Sequence, residues 1–115
     1  IITQEAAEQS NKSLFTNIKH IDSTREYTKS SLKTGQDMHK MYKADIANQT
    51  TKIKEFVLPS KKRIDFIDFD FGTISELKPY NPRAIKLGYR QLEMYLREVQ
   101  TEFPNIDWQT QLDVY

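Results

Sequence analysis

Cysteine is absent from all 115 residues, which excludes disulfides and zinc–thiolate centres and requires the fold to hold equally well in a reducing or an oxidising compartment. No apolar run approaches the length of a membrane span, and no apolar signal segment opens the chain. Repeats and low-complexity tracts are missing as well. Nor does one sign of charge dominate: 17 Lys and Arg against 16 Asp and Glu leave +1, too little for a global pull on nucleic acid. Ile1 stands where an initiator Met would, so the expectation is a piece of a longer polypeptide or a processed chain. What remains is 37% apolar with a mean hydropathy of −0.71, the composition of a soluble chain with one domain and a modest core.

The most informative stretch is 61–78, which reads as two strands and a tight turn. Phe, Ile and Thr fill both arms, and Asp70-Phe71-Gly72 supplies a turn whose glycine can take positive φ. Against that apolar background stand Asp65, Asp68, Asp70 and Glu76, although a strand that only had to pack would not carry carboxylates in this number. Glu76 and Lys78 project to one face and Leu77 to the other. A two-residue turn at Phe71-Gly72 places Asp65 across from Lys78 and diagonal to Glu76. A three-residue turn beginning at Asp70 brings Asp68 to that face instead, and the residues leave the choice open. Either way, two carboxylates and a lysine converge. That set suits a divalent cation bound to phosphate: hard oxygens for the ion and a point charge beside the reacting group.

Elsewhere, 1–26 is polar with weak apolar spacing at Leu14, Ile18 and Ile21, and reads as a linker or an N-terminal helical extension. From 23 to 48 a helical pattern runs through Met38, Met41, Tyr42, Asp45 and Ile46, interrupted by Gly35, and its apolar face is expected on the sheet. Residues 52–58 predict a first strand, which makes a three-stranded meander with the hairpin. Asn81 is a good N-cap and Pro82 suits the first helical position. The helix they open is expected to run to about residue 102, with Ile85, Tyr89, Leu92, Leu96, Val99 and Phe103 as its apolar line. Gly88 within it hints at a close backbone approach. Residues 108–115 alternate as a last strand, so the predicted order is αβββαβ. Between 79 and 92 lie three basic residues, Arg83, Lys86 and Arg90, and no acidic one; they form a stripe beside a helix N-terminus. Tyr80 is expected in an exposed loop, placed to stack on a base.

Asp65 followed by Glu76-Leu77-Lys78 resembles the D…(D/E)-x-K signature of the PD-(D/E)XK nuclease superfamily. Gln91-Leu92-Glu93-Met94-Tyr95 is similar to the Q-x-x-x-Y element of its RecB-like branch. Arg63-Ile64-Asp65-Phe66-Ile67-Asp68, with Glu76-Leu77-Lys78-Pro79-Tyr80-Asn81-Pro82-Arg83-Ala84, further resembles the restriction-endonuclease-like toxin domains at the C-termini of bacterial polymorphic toxins. The likeness covers about 35–115. It implies an α/β (α+β) fold with a PD-(D/E)XK restriction-endonuclease-like core, and a nuclease domain over 27–115 after the 1–26 segment. In such relatives the aspartate of the Arg-x-Asp triplet binds metal, which favours Asp65 over Asp68; Ile64 stands where proline is often found. The resemblance also implies that Gln91 and Tyr95 serve the site, and that a helical histidine, here His39, reaches the metal.

The function expected from these residues is a divalent-metal-dependent nuclease, the toxin module of a secreted bacterial effector. Asp65, Glu76, the carbonyl of Leu77 and His39 would hold Mg²⁺ or Mn²⁺. Lys78, Gln91 and Tyr95 would complete the catalytic set, while Arg83, Lys86, Arg90 and Tyr80 would bind nucleic acid. Such contacts read backbone and not sequence. DNA is placed ahead of RNA as substrate, a cognate immunity protein is implied as partner, and the place of action is the target-cell cytoplasm. Two other readings are a repair or phage nuclease of the same superfamily and a non-catalytic nucleic-acid-binding module.

Overall fold

The computed structural model describes residues 14–19, 21 and 24–115. In chain order these form β1 (Thr16–Asn17), α1 (Leu32–Met41), β2 (Lys52–Val57), β3 (Arg63–Asp68), β4 (Thr73–Lys78), α2 (Pro82–Glu102) and β5 (Gln109–Val114). From α1 onward this is the predicted αβββαβ order. The strands make one sheet in the order β1-β5-β4-β3-β2, in which β2, β3 and β4 are the expected antiparallel meander. β5 pairs with β4 in parallel, and α2 supplies the crossover that a parallel neighbour requires. Of the segment 1–26, residues 1–13, 20, 22 and 23 lie outside the described residues; Thr16 and Asn17 pair with Val114 and Asp113 at the sheet edge.

The helix predicted over 23–48 is shorter. Ser31 caps its start by accepting the Thr34 N–H at 3.1 Å, and at its end Lys43 turns to φ 53°, a left-handed backbone that no helix continues. Asp45 and Ile46 therefore fall in the following turn, and Met41 and Ile46 are exposed, leaving Met38 and Tyr42 to cover the sheet. They pack with Phe66, Leu77 and Tyr115 on one face. The other face is larger. There Ile67 and Ile74 meet Ile85, Leu92, Tyr95 and Val99 of α2 and Leu112 of β5.

α2 starts as predicted, with Asn81 Oδ1 accepting the Ala84 N–H at 2.8 Å and Pro82 in the first turn. Its buried line is Ile85, Gly88, Leu92, Tyr95 and Val99, so Tyr95 replaces Tyr89 in the expected stripe. Tyr89 remains 37% exposed and donates its hydroxyl to Ile18 O at 3.2 Å.

The hairpin turn is neither of the two considered from sequence. Asp68 pairs with Thr73, so four residues, 69–72, connect the strands. The cause is Asp68 itself, whose Oδ1 accepts the N–H groups of Asp70 and Phe71 and rolls the chain over early. Gly72 closes the turn at φ 71°, and a Cβ there would meet Asp107 O at 2.8 Å, so both backbone angle and space require glycine.

Candidate active site

Continuing the hairpin register from Phe66↔Ser75 places Asp65 opposite Glu76, not opposite Lys78. The backbone ladder between β3 and β4 stops at Phe66↔Ser75, and beyond it the strands part like a fork. The two carboxylates fill the gap. Glu76 Oε1 accepts the Asp65 N–H at 2.9 Å, and Asp65 Oδ2 accepts the Leu77 N–H at 2.8 Å. Each side chain thus satisfies a backbone donor that the opened ladder would have left bare.

His39 reaches this fork from α1. Its Nδ1 donates to Gly35 O at 2.8 Å, which leaves Nε2 facing Asp65 Oδ2 at 3.3 Å. A ring nitrogen tied to a carbonyl fixes the tautomer, and in the neutral ring Nε2 then carries the lone pair. Lys54, which nothing in the sequence marked, holds the helix end that carries this ring. Its ammonium donates to His39 O at 2.7 Å, Lys40 O at 2.9 Å and Tyr42 O at 2.5 Å, satisfying carbonyls that the helix terminus cannot. Lys54 falls within the 52–58 stretch predicted as a strand, and only the folded chain shows where its amine goes. On the far side of the sheet the Tyr42 hydroxyl donates to buried Asp113, anchoring the same end of α1 to β5.

The two carboxylates are driven apart in acidity. Burial, and then the charge of Asp65, pushes the Glu76 carboxyl up to about 8. Burial also pushes Asp65 upward, but the hydrogen bonds from His39 and the Leu77 N–H outweigh it and hold Asp65 below its ordinary range. The His39 imidazole is raised, chiefly by its hydrogen bond to Asp65. Without a cation the fork therefore holds one proton on Glu76 and one charge on Asp65. A raised folded-state pKa adds stability that is complete below the unfolded value and lost as pH climbs through the folded one. Glu76 loses its share between its ordinary 4.5 and about 8, and His39 acts in the same direction above 6.5. The Asp65 share runs the other way: it is present above 3.8 and lost as pH falls below that value. Thermal denaturation without divalent ions is thus expected to show Tm falling from about pH 5 to about pH 8, with Glu76→Gln flattening the slope. A Tm that rises across that window would contradict the shared proton.

α2 closes the site from above. Gly88 lets it approach: a Cβ there would lie 2.7 Å from Leu112 Cδ1 and 3.0 Å from Lys78 Cγ, so the Lys78 stem passes directly beneath the glycine. The charge of Lys78 is felt at both Glu76 and His39. Tyr95, two turns beyond Gly88, is buried, and burial followed by the charges of Glu76 and Asp65 pushes its hydroxyl up to about 12, keeping it a donor. Gln91 lies between them on the same face. Among the described residues no hydrogen-bond partner reaches its buried Oε1. An orphaned acceptor of this kind calls for a donor from outside the protein.

Asp65, Glu76, Lys78, His39, Gln91 and Tyr95 therefore converge, with Leu77 contributing its backbone between the carboxylates. Other candidates do not join them. Asp68 is taken up by the turn and by Lys52 at 3.8 Å. Tyr80, expected in an exposed loop, is only 1% exposed: its N–H donates to Tyr115 O, Arg25 lies 4.3 Å over its ring and Tyr27 stands beside it, so no base can stack there. Arg83, Lys86 and Arg90 are exposed as expected, but helical spacing puts Lys86 about 140–180°, and Arg83 and Arg90 about 80–160°, around α2 from Gly88, Gln91 and Tyr95. Among the described residues no three His, Cys, Asp or Glu side chains stand close enough to hold a metal ion by themselves. No described helix is long and apolar enough to cross a membrane.

Comparison with curated proteins and with solved structures returns no match. Residues 27–115 match the family described as restriction endonuclease fold toxin 9, a span that takes in α1, the meander, α2 and β5. With that match over most of its length, and with a mixed sheet, two helices and a carboxylate fork at the hairpin, the chain belongs to the restriction endonuclease fold toxin family.

Proposed function

We propose that residues 27–115 form a divalent-metal-dependent nuclease that hydrolyses phosphodiester bonds, DNA in the first place, as the toxin module of an effector delivered by a bacterial producer into a target cell. The observation that carries this reading is the fork: two carboxylates set side by side, only one of them charged, beneath a lysine and an unpaired amide oxygen. The donor set fits Mg²⁺ or Mn²⁺, since carboxylate, carbonyl and amide oxygens are the hard ligands such ions take. Asp65, Glu76, the Leu77 carbonyl and His39 Nε2 would hold the ion. When bound, it polarises the scissile phosphate and lowers the pKa of a water molecule.

The remaining steps belong to the protein. Glu76, neutral in the resting fork, would give its proton up to solvent in exchange for a cation, and its second oxygen would then be available. Gln91 Oε1 accepts a hydrogen bond from the attacking water and so orients it, and the Tyr95 hydroxyl donates to a phosphate oxygen. Lys78 neutralises the charge that develops on the phosphate in the transition state. Gly88 lets α2 sit low enough to exclude bulk water. Incubating the chain with plasmid DNA and with total RNA, each with Mg²⁺ or with EDTA, tests the reading. Cleavage that needs the ion is expected, and none in any arm would refute it.

Arg83, Lys86 and Arg90, on the outer side of α2, would hold backbone flanking the cut and take no part in the chemistry. Replacing each by Ala is expected to weaken binding similarly across substrate sequences and to reduce the salt dependence of affinity by about one counterion. Unchanged salt slopes would mark them as a solvated helix face. A producer of such an enzyme must restrain it. An acidic immunity protein covering this stripe and the fork is the partner that charge complementarity favours, with association slowing as salt rises.

A further inference from the structure

A mostly apolar cavity of about 680 Å³ opens beside the fork, between α1 and the edge strand β2. His39 belongs to both places, lining the cavity and standing 3.3 Å from Asp65 Oδ2. Leu32, Gly35 and Gln36 line it from α1, and Glu55 and Pro79 from the sheet side. Three features of this wall have no explanation in packing. Leu32 leaves 81% of its surface exposed. Glu55 sits in mid-strand at φ 54°, between the regular pairs Lys54↔Phe66 and Phe56↔Ile64, and left-handed non-glycine backbone gathers at ligand clamps. Gly35 occupies a helix interior, where glycine is a poor choice. A Cβ there would meet only Tyr115 Oη at 3.5 Å and Ser30 Oγ at 3.7 Å, ordinary contacts, so neither backbone nor neighbours require glycine.

We propose that this cavity seats one unpaired nucleotide of the substrate strand, beside the fork of Asp65 and Glu76, and so directs cleavage to single-stranded or locally unpaired nucleic acid. The inference rests on the nuclease reading above and names its substrate class. The volume falls within the roughly 300–1,000 Å³ of pockets that bury a small organic ligand. Leu32, Gly35 and Pro79 offer apolar contact to the faces of a base, and Gln36 and Glu55 bring donors and an acceptor to its edge. A base in a duplex must unpair and unstack before it can enter a side cavity, whereas a single strand presents its bases freely. Lys54 does not compete for the phosphate, because its ammonium is committed to three carbonyls. Exposed Lys40, on the rim, remains free to meet the backbone charge.

Fluorescence anisotropy in EDTA decides this, using labelled oligonucleotides as single strands, blunt duplexes and duplexes with an unpaired bulge, in DNA and in RNA. The wild-type chain is expected to bind the unpaired forms at least about tenfold more tightly than the duplex, in the DNA arm, the RNA arm or both. Leu32→Ser and Glu55→Gln change exposed residues, so the fold survives; each should remove about tenfold from unpaired binding and leave duplex binding unchanged. Gly35→Ala should raise Tm by about 4 °C while weakening the same unpaired binding, a separation that a purely structural glycine would not give. Equal affinity for duplex and single strand, or indifference of all three variants, overturns the inference. If metal-dependent cleavage of duplex nevertheless persists, the nuclease reading stands without it; no binding and no cleavage of any nucleic acid overturns both.

Discussion

Glu76→Gln is expected to reduce cleavage at least about a hundredfold while leaving the fold intact, and Lys78→Ala to do the same, the scale of removing one preorganised charge from a transition state. The glutamine keeps its amide oxygen, so it can still accept the Asp65 N–H that Glu76 Oε1 accepts at 2.9 Å and hold the fork open. What it loses is the capacity to become an anion when a cation arrives. In the metal-free protein Glu76 is held neutral by burial, so the neutral amide resembles the resting state and should match or exceed the wild-type Tm near neutral pH. Lys78→Ala removes an ammonium whose stem runs under Gly88, and the space it leaves lies beneath the helix and not in the core of the sheet. Single-turnover rates at saturating Mg²⁺, with circular dichroism confirming equal folding, measure both. Wild-type rates in either variant would remove that residue from the reaction.

The fold was legible because its signals are local. Asn81 and Pro82 announce a helix start that the structure reproduces, Pro104 follows the helix end at Glu102, and the alternation in 61–78 yields two strands. Of the candidate site, the strand faces were legible in the sequence but the geometry was not. Asp65, Glu76 and Lys78 could be gathered from strand periodicity, yet their register depended on what Asp68 does with two backbone N–H groups, and a turn of that kind leaves no mark in hydrophobic patterning. Tyr80 failed for a related reason. A tyrosine between two prolines reads as loop, and loops read as exposed, but this one is covered by Arg25, from the segment read as a linker or helical extension, and by Tyr27 just beyond it. Lys54 and the Tyr42–Asp113 bond were invisible because both join groups from distant parts of the chain, and their worth lies in tertiary placement.

Asp65 and Asp68 offer the sharpest test, because the same residue type three positions apart is expected to fail in opposite ways. Asp65→Asn retains an oxygen for the Leu77 N–H but surrenders the charge that His39 faces at 3.3 Å. It should lose Mn²⁺ affinity and at least about a hundredfold in cleavage, with little change in stability. Asp68 touches none of the converging residues. The residue is only 7% exposed, and its carboxylate holds the N–H groups of Asp70 and Phe71 at 2.9 and 3.0 Å. Asp68→Ala would strand both donors in a partly buried turn, a loss of about 1–3 kcal/mol. The Gly72 N–H, which reaches Asp68 O at 2.9 Å, and the bonds from Thr51 and Lys52 to Asp70 would then be left to hold the turn. Below its lowered Tm, however, Asp68→Ala should bind Mn²⁺ and cleave at near wild-type levels, because the fork at Asp65 and Glu76 is built from contacts three residues away. Isothermal titration with Mn²⁺, thermal denaturation and single-turnover cleavage on the two variants separate the roles. If Asp68→Ala abolishes ion binding while Asp65→Asn preserves it, the cation belongs at the turn and the fork is only a structural device for parting two strands.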